Sequence, residues 1–266
     1  MIAINDKRQV IFVVSLFFIA ISIRIIYLFE FHQKNPLFDI IPPAFDHSNF
    51  DNGAVNFSKG DLLARSANNS FAPLYKYFLG VIYLLFGRNF YVIYIIQFVM
   101  WSLSSVLIYL IAKELFGFRA GIIAFYSPQI IYEGIILRAA FISFFGILSF
   151  YLLSRLKLFL NTGNLIIATL SLSLFIQGRP NVIVCLPLVL ISLHKIFLSL
   201  KPDKRRIYWF IFSGTLFLSF APLLIQCYLV HGKFVFFDAS GPFALISGNL
   251  TSYSGVGYDV AFFEDF

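Results

Sequence analysis

Charge is scarce in this chain, and so is cysteine. Only 12% of its 266 residues are Asp, Glu, Lys or Arg, about half the share of a soluble domain. No water-soluble core of this length hides the 59% that are apolar, so lipid must be the solvent for most of the chain. The two cysteines, Cys185 and Cys227, lie inside apolar runs and support neither a disulfide framework nor a zinc site. Four histidines, His32, His47, His194 and His231, are scattered without metal-ligand spacing, and Asp46-His47-Ser48 is not a paired-acid Asp-x-Asp motif. There is no Walker motif and no strand-led glycine fingerprint; Gly255-Val256-Gly257 does not make one alone. Neither a metal nor an organic cofactor is called for. With no cytoplasmic nucleotide-binding domain, an enzyme built on this chain needs a donor that arrives in the membrane itself.

What is present is a series of apolar runs separated by short basic clusters. The net charge of +7 does not indicate nucleic acid, because the basic residues are not gathered into one patch. Residues 10–29 form a run of spanning length after Lys7 and Arg8. It lacks a small-residue cleavage site and is expected to stay as a helix. Arg24, near its outer end, is expected to snorkel to the interface. Placing Lys113–Arg119, Arg155–Lys157 and Lys201–Arg206 in the cytoplasm requires that 71–86 does not cross the membrane. The remaining spans are then 91–112, 120–132, 136–153, 164–176, 182–197 and 207–230. Two of them, 120–132 and 164–176, are short for a bilayer.

The expected fold is an all-α polytopic membrane protein. About seven transmembrane helices occupy 1–230, with the N-terminus cytoplasmic. Residues 30–90 form an outer loop with juxtamembrane helices, 71–86 among them. Residues 231–266 form an outer glycine-rich segment, expected to begin a missing or truncated C-terminal part. The spans have no fixed period, so no repeat architecture is expected. The Ile, Lys, Asn and Phe bias suggests an AT-rich bacterial genome, hence a bacterial inner membrane with the active face periplasmic or extracellular. Asn68-Asn69-Ser70 and Asn249-Leu250-Thr251 match a glycosylation sequon, meaningful only in a host with that machinery.

This topology collects four groups on the outer face: the acidic loop around Asp46 and Asp51, the Pro73-Leu74-Tyr75-Lys76 segment, Arg138 and Arg179. A partly desolvated carboxylate at the membrane surface can serve as a general base. An arginine fork matches phosphate geometry. Ionisable groups at membrane depth are costly and therefore point to function.

These residues, in order, resemble a known family. Phe45-Asp46, Phe50-Asp51, Ala54 and Lys59-Gly60-Asp61 resemble the first outer loop of family 39-like, GT-C-fold glycosyltransferases, which include protein mannosyltransferase and aminoarabinose transferase relatives. Ala72-Pro73-Leu74-Tyr75-Lys76-Tyr77-Phe78-Leu79 is similar to the family's Pro-Leu-Tyr-Pro juxtamembrane helix. Gln97 is expected to open a helix ending Ala112-Lys113-Glu114-Leu115-Phe116-Gly117, and Ser127-Pro128 and Ile136-Leu137-Arg138 follow. Gly178-Arg179-Pro180-Asn181 looks like the family's Arg-Pro-Asn segment, and Ser247-Gly248-Asn249 resembles a Gly-Asn loop of some members.

The resemblance implies transfer of a sugar from a polyprenyl-phosphate-linked donor to a lipid, glycan or protein acceptor on the non-cytoplasmic face. Asp46 matches the family's loop aspartate, the base or acceptor-positioning group. Asp51, Tyr75, Lys76, Arg138, Arg179 and Asn249 are the candidate substrate-binding residues. Some relatives carry a lysine before the Pro-Leu stretch where this chain has Phe71-Ala72, so donor phosphate falls to Lys76, Arg138 or Arg179. Family members are generally longer. Two other readings stay open on the sequence: a non-enzymatic transporter or flippase of a lipid-linked or polar solute, and an inactive fragment. Polar groups gathered at one face favour an enzyme over the repeat symmetry and midplane sites of transporters.

Overall fold

The computed structural model describes residues 7–34, 41, 46–63, 72–125 and 135–237. It is an all-α polytopic membrane protein, with no strand among the described residues. Its helices are α1 (Lys7–Lys34), α2 (Asp46–Ser58), α3 (Pro73–Phe86), α4 (Phe90–Phe116) and α5 (Phe118–Phe125). Then come α6 (Ala139–Leu156), α7 (Thr162–Gly178), a 3-10 turn (Pro180–Cys185), α8 (Leu186–Phe197) and α9 (Pro202–His231). Five segments are long and apolar enough to cross a bilayer: α1, α4, α6, the 3-10 turn with α8, and α9. Helix α7, with 17 residues, spans about 26 Å, short of the ~30 Å hydrocarbon core.

Local chemistry sets the ends. Pro73 and Pro202 sit in the first turns of α3 and α9, where a missing N–H costs nothing. Asn89 and Asn161 cap α4 and α7, their side-chain oxygens accepting from the amides of Tyr91 (3.0 Å) and Asn164 (2.8 Å). Helices α3 and α4 stop at Phe-Gly pairs, where Gly87 and Gly117 take positive φ.

Contacts between the helices order the two ends of the bundle. His32 near the end of α1 lies 5.3 Å from Tyr91 at the start of α4. Phe12 near the start of α1 meets Tyr109 and Phe118 at 5.6 and 5.7 Å. Helices α1 and α4 are therefore antiparallel, and the chain between them leaves and re-enters at one end. Gln97, in the first half of α4, donates to the Ile135 carbonyl just before α6, and Glu114 near its finish pairs with Arg155 near the finish of α6. So α4 and α6 run parallel, and the chain returns from one end to the other between 117 and 135. The expected span 120–132 lies only partly within the described residues.

Two readings of the sequence need correction. Arg24 does not snorkel outward: it is 5% exposed, and its guanidinium donates to the Ala20 carbonyl one turn back toward the start of α1. Packing against neighbouring helices hides it where a lone helix would have sent it to the interface. Gln97 does not open a helix; it lies two turns inside α4.

Candidate functional site

The site is built on a close crossing of α2 and α3. Gly53 of α2 receives the lysine stem of α3: a Cβ added there would lie 2.6 Å from Lys76 Cδ. Gly80 of α3 receives the ring of α2: a Cβ there would lie 2.5 Å from Phe57 Cδ1 and 2.9 Å from its Cβ. Each helix offers a bare backbone to the other's bulk. Lys76 is thereby 1% exposed, its aliphatic stem packed on Gly53. One turn N-terminal to Gly53, Phe50 stands edge-on to Tyr75 at 5.0 Å. Asp46, half-buried, is the first residue of α2, one turn before Phe50.

Tyr75 is fully buried and donates its hydroxyl to Gln97 Oε1 at 2.7 Å; Gln97 in turn donates to the Ile135 carbonyl at 3.0 Å. This relay ties α3 to α4 and to the approach of α6. Phe141, one turn into α6, is the hub of the region. Tyr75 and Phe78 contact its ring at 6.5 and 5.2 Å. Gly178, the last residue of α7, lies against Phe141 and Ile142. Arg138 precedes α6 and is half-buried; Arg179 follows α7 and is exposed. Both arginines therefore stand at the end of the bundle that carries α2 and Tyr75. At that end Gln226 of α9 donates to the Leu63 carbonyl (3.0 Å), and Tyr77 donates to the Leu62 carbonyl (3.0 Å).

Asp51 faces elsewhere. It is 6% exposed, and both its oxygens are occupied. Tyr83 donates its hydroxyl to Oδ1. Arg88 donates from Nε to Oδ1 at 2.9 Å and from a terminal nitrogen to Oδ2 at 2.9 Å. The paired carboxylate holds the Arg88 guanidinium above its ordinary pKa, against the opposing effect of burial. Asp51 thus pins α2 to the α3–α4 turn. Arg88 is the residue sequence reading passed over; its one signal was a cation placed in a Gly-Arg-Asn turn, with nothing to name its partner. Beside Asp46, burial pushes the His47 imidazole below its usual pKa, and the Asp46 charge works the other way. Asn249 and Ser127-Pro128 lie outside the described residues.

Half-buried Asp46 can accept a proton, and the helix-end arginines at this end can face a phosphate. The model of the dolichyl-phosphate-mannose-protein mannosyltransferase family matches residues 70–225, more than half of the chain. The matched region contains Tyr75, Lys76, Arg138 and Arg179; Asp46, Asp51 and Asn249 fall outside it. No curated protein and no solved structure matches the chain. The chain belongs to this family of membrane glycosyltransferases.

Proposed function

For this member of the family, we propose transfer of a sugar from a polyprenyl-phosphate-linked donor to an acceptor hydroxyl at the non-cytoplasmic face of a bacterial inner membrane. The observation that carries the reading is the family match over 70–225, which takes in the arginine-bearing helix ends. Asp46 takes the proton of the acceptor hydroxyl as its oxygen attacks the anomeric carbon of the donor sugar. The bond from that carbon to phosphate oxygen breaks, and polyprenyl phosphate leaves with the electron pair. Arg179 and Arg138 neutralise the departing phosphate, a task suited to a guanidinium fork. Lys76, buried at the α2–α3 crossing, keeps α2 and its leading aspartate against α3. Asn249 is assigned to acceptor or sugar contact by resemblance.

The direction of the bundle follows from its charges. The end opposite the site carries Lys113, Arg155, Lys157 and Lys201–Arg206, the side that stays in the cytoplasm. The test is transfer in proteoliposomes given either a polyprenyl-phosphate sugar or the corresponding nucleotide sugar. Product from the lipid-linked donor alone is the expected result. Product from the nucleotide sugar, or from neither, would refute the reading.

A further inference from the structure

The end of the bundle away from the site has a feature the transfer reaction does not use. There the finish of α6, the finish of α8 and the start of α9 close on one apolar knot of buried Leu156, Phe197 and Phe212. Phe197 stands edge-on to Tyr208 at 5.7 Å and Trp209 at 5.1 Å. Around the knot, Lys157, Lys195, Lys201, Lys204 and Arg206 are exposed and Arg205 is half-buried. Asp203 is the single acid between Glu133 and Asp238 in the sequence. Among the described residues no salt bridge engages any of the six cations, whereas Arg155 close by is paired with Glu114. Among the described residues these cations have no acidic partner.

Depth says what could supply a counterion. Helix α9 has 30 residues, about 45 Å of helix, against ~30 Å of hydrocarbon. The excess gives its charged first turn, with Lys204, Arg205 and Arg206, room to stand in the headgroup layer, and Tyr208 and Trp209 follow at the level of an aromatic belt. Starting at this level and running inward, Ile207, Phe210 and Phe217 form an exposed apolar stripe on the same helix. Cations above, aromatics at the boundary and an open greasy stripe below complement a molecule with an anionic head and hydrocarbon tails.

We propose that Lys157, Lys195, Lys201, Lys204, Arg205 and Arg206 form a headgroup site for an anionic glycerophospholipid whose acyl chains lie along Ile207, Phe210 and Phe217. The site is independent of the transfer reaction and on the opposite face.

The chain has two tryptophans, so Trp101→Phe leaves Trp209 as the sole reporter at the knot. The full chain carrying that change is placed in phosphatidylcholine nanodiscs. These contain equal fractions of either acyl-brominated phosphatidylglycerol or acyl-brominated phosphatidylcholine. Stronger quenching of Trp209 by the brominated anionic lipid, reduced by added salt, is expected. Adding Lys201→Gln, Lys204→Gln and Arg206→Gln, all at exposed positions, should bring the ratio of the two quenching efficiencies to about one. The charge-keeping pair Lys201→Arg and Lys204→Arg should preserve the preference, which separates lost charge from lost folding. Equal quenching by both lipids in the Trp101→Phe protein overturns the proposal. So does a preference that survives the triple neutralisation. If inorganic phosphate in the buffer abolishes the preference at constant ionic strength, the site reads a free anion and the lipid assignment falls.

Discussion

Two arginines in this chain follow a glycine at the end of a helix: Arg88 after α3 and Arg179 after the short α7. Their sequence surroundings are alike, Gly87-Arg88-Asn89 and Gly178-Arg179-Pro180-Asn181. Their fates differ. Arg88 grips Asp51 with three hydrogen bonds and holds α2 in place, while the side chain of Arg179 is exposed and has no ion-pair partner among the described residues. A cation already matched by a buried carboxylate is structural. A cation left open at the end that carries Asp46 is available to a ligand. The same distinction separates Asp51, enclosed by Tyr83 and Arg88, from Asp46, half-buried at a helix start.

That contrast can be broken by experiment, and the largest effect should come from its closed half. Asp51→Ala leaves the Tyr83 hydroxyl and the Arg88 guanidinium without their acceptor. It should cost about 3 kcal/mol, discounted from a fully buried pair because Arg88 is half-exposed. Reversible unfolding in mixed micelles measures it, and the folded fraction should keep its activity. Gly80→Ala tests the crossing that holds α2 down. The new methyl meets Phe57 Cβ, which cannot rotate away, so a loss of about 2 kcal/mol is expected in the same assay. Arg179→Gln should reverse the pattern. Stability should hold, while KM for the lipid-linked donor should rise about tenfold, or ~1.4 kcal/mol. A drop in stability from Arg179→Gln would erase the difference between the two arginines.

The smallest effect is a titration. His47 should titrate below the ordinary histidine value of 6.5 by NMR, because burial disfavours its charged form. A depressed imidazole pKa means the unfolded chain binds the proton more tightly. This group's contribution to stability is therefore present above pH 6.5 and declines as pH falls below it. Asp46→Asn removes the opposing charge and should move the midpoint lower still.

Much of the fold was legible because the membrane makes charge placement a one-dimensional problem. Every basic cluster between apolar runs costs heavily on the wrong side, so Lys201–Arg206 alone carries much of the expectation that 71–86 does not cross. The glycine crossing was not legible. Gly53 and Gly80 stand 27 positions apart in the sequence, and nothing local says that each must accept the other helix's side chain. The pairing of Asp51 was hidden for the same reason. Its partner is 37 residues away, and a lone carboxylate in a loop looks alike whether it is paired or free. Arg24 failed because snorkelling describes a solitary helix in lipid, while α1 is packed against α4. Tyr75, Lys76, Arg138 and Arg179 were proposed as site residues from the topology and from their resemblance to family segments. That Tyr75 and Gly178, the residue before Arg179, both lie against Phe141 emerged only from packing.

The most direct measurement is the rate of sugar transfer from polyprenyl phosphate by Asp46→Asn in proteoliposomes, expressed per folded protein. Loss of a general base predicts a fall of about 10²–10⁴ in kcat with the fold retained. Transfer at the wild-type rate would contradict the account and remove Asp46 from the reaction.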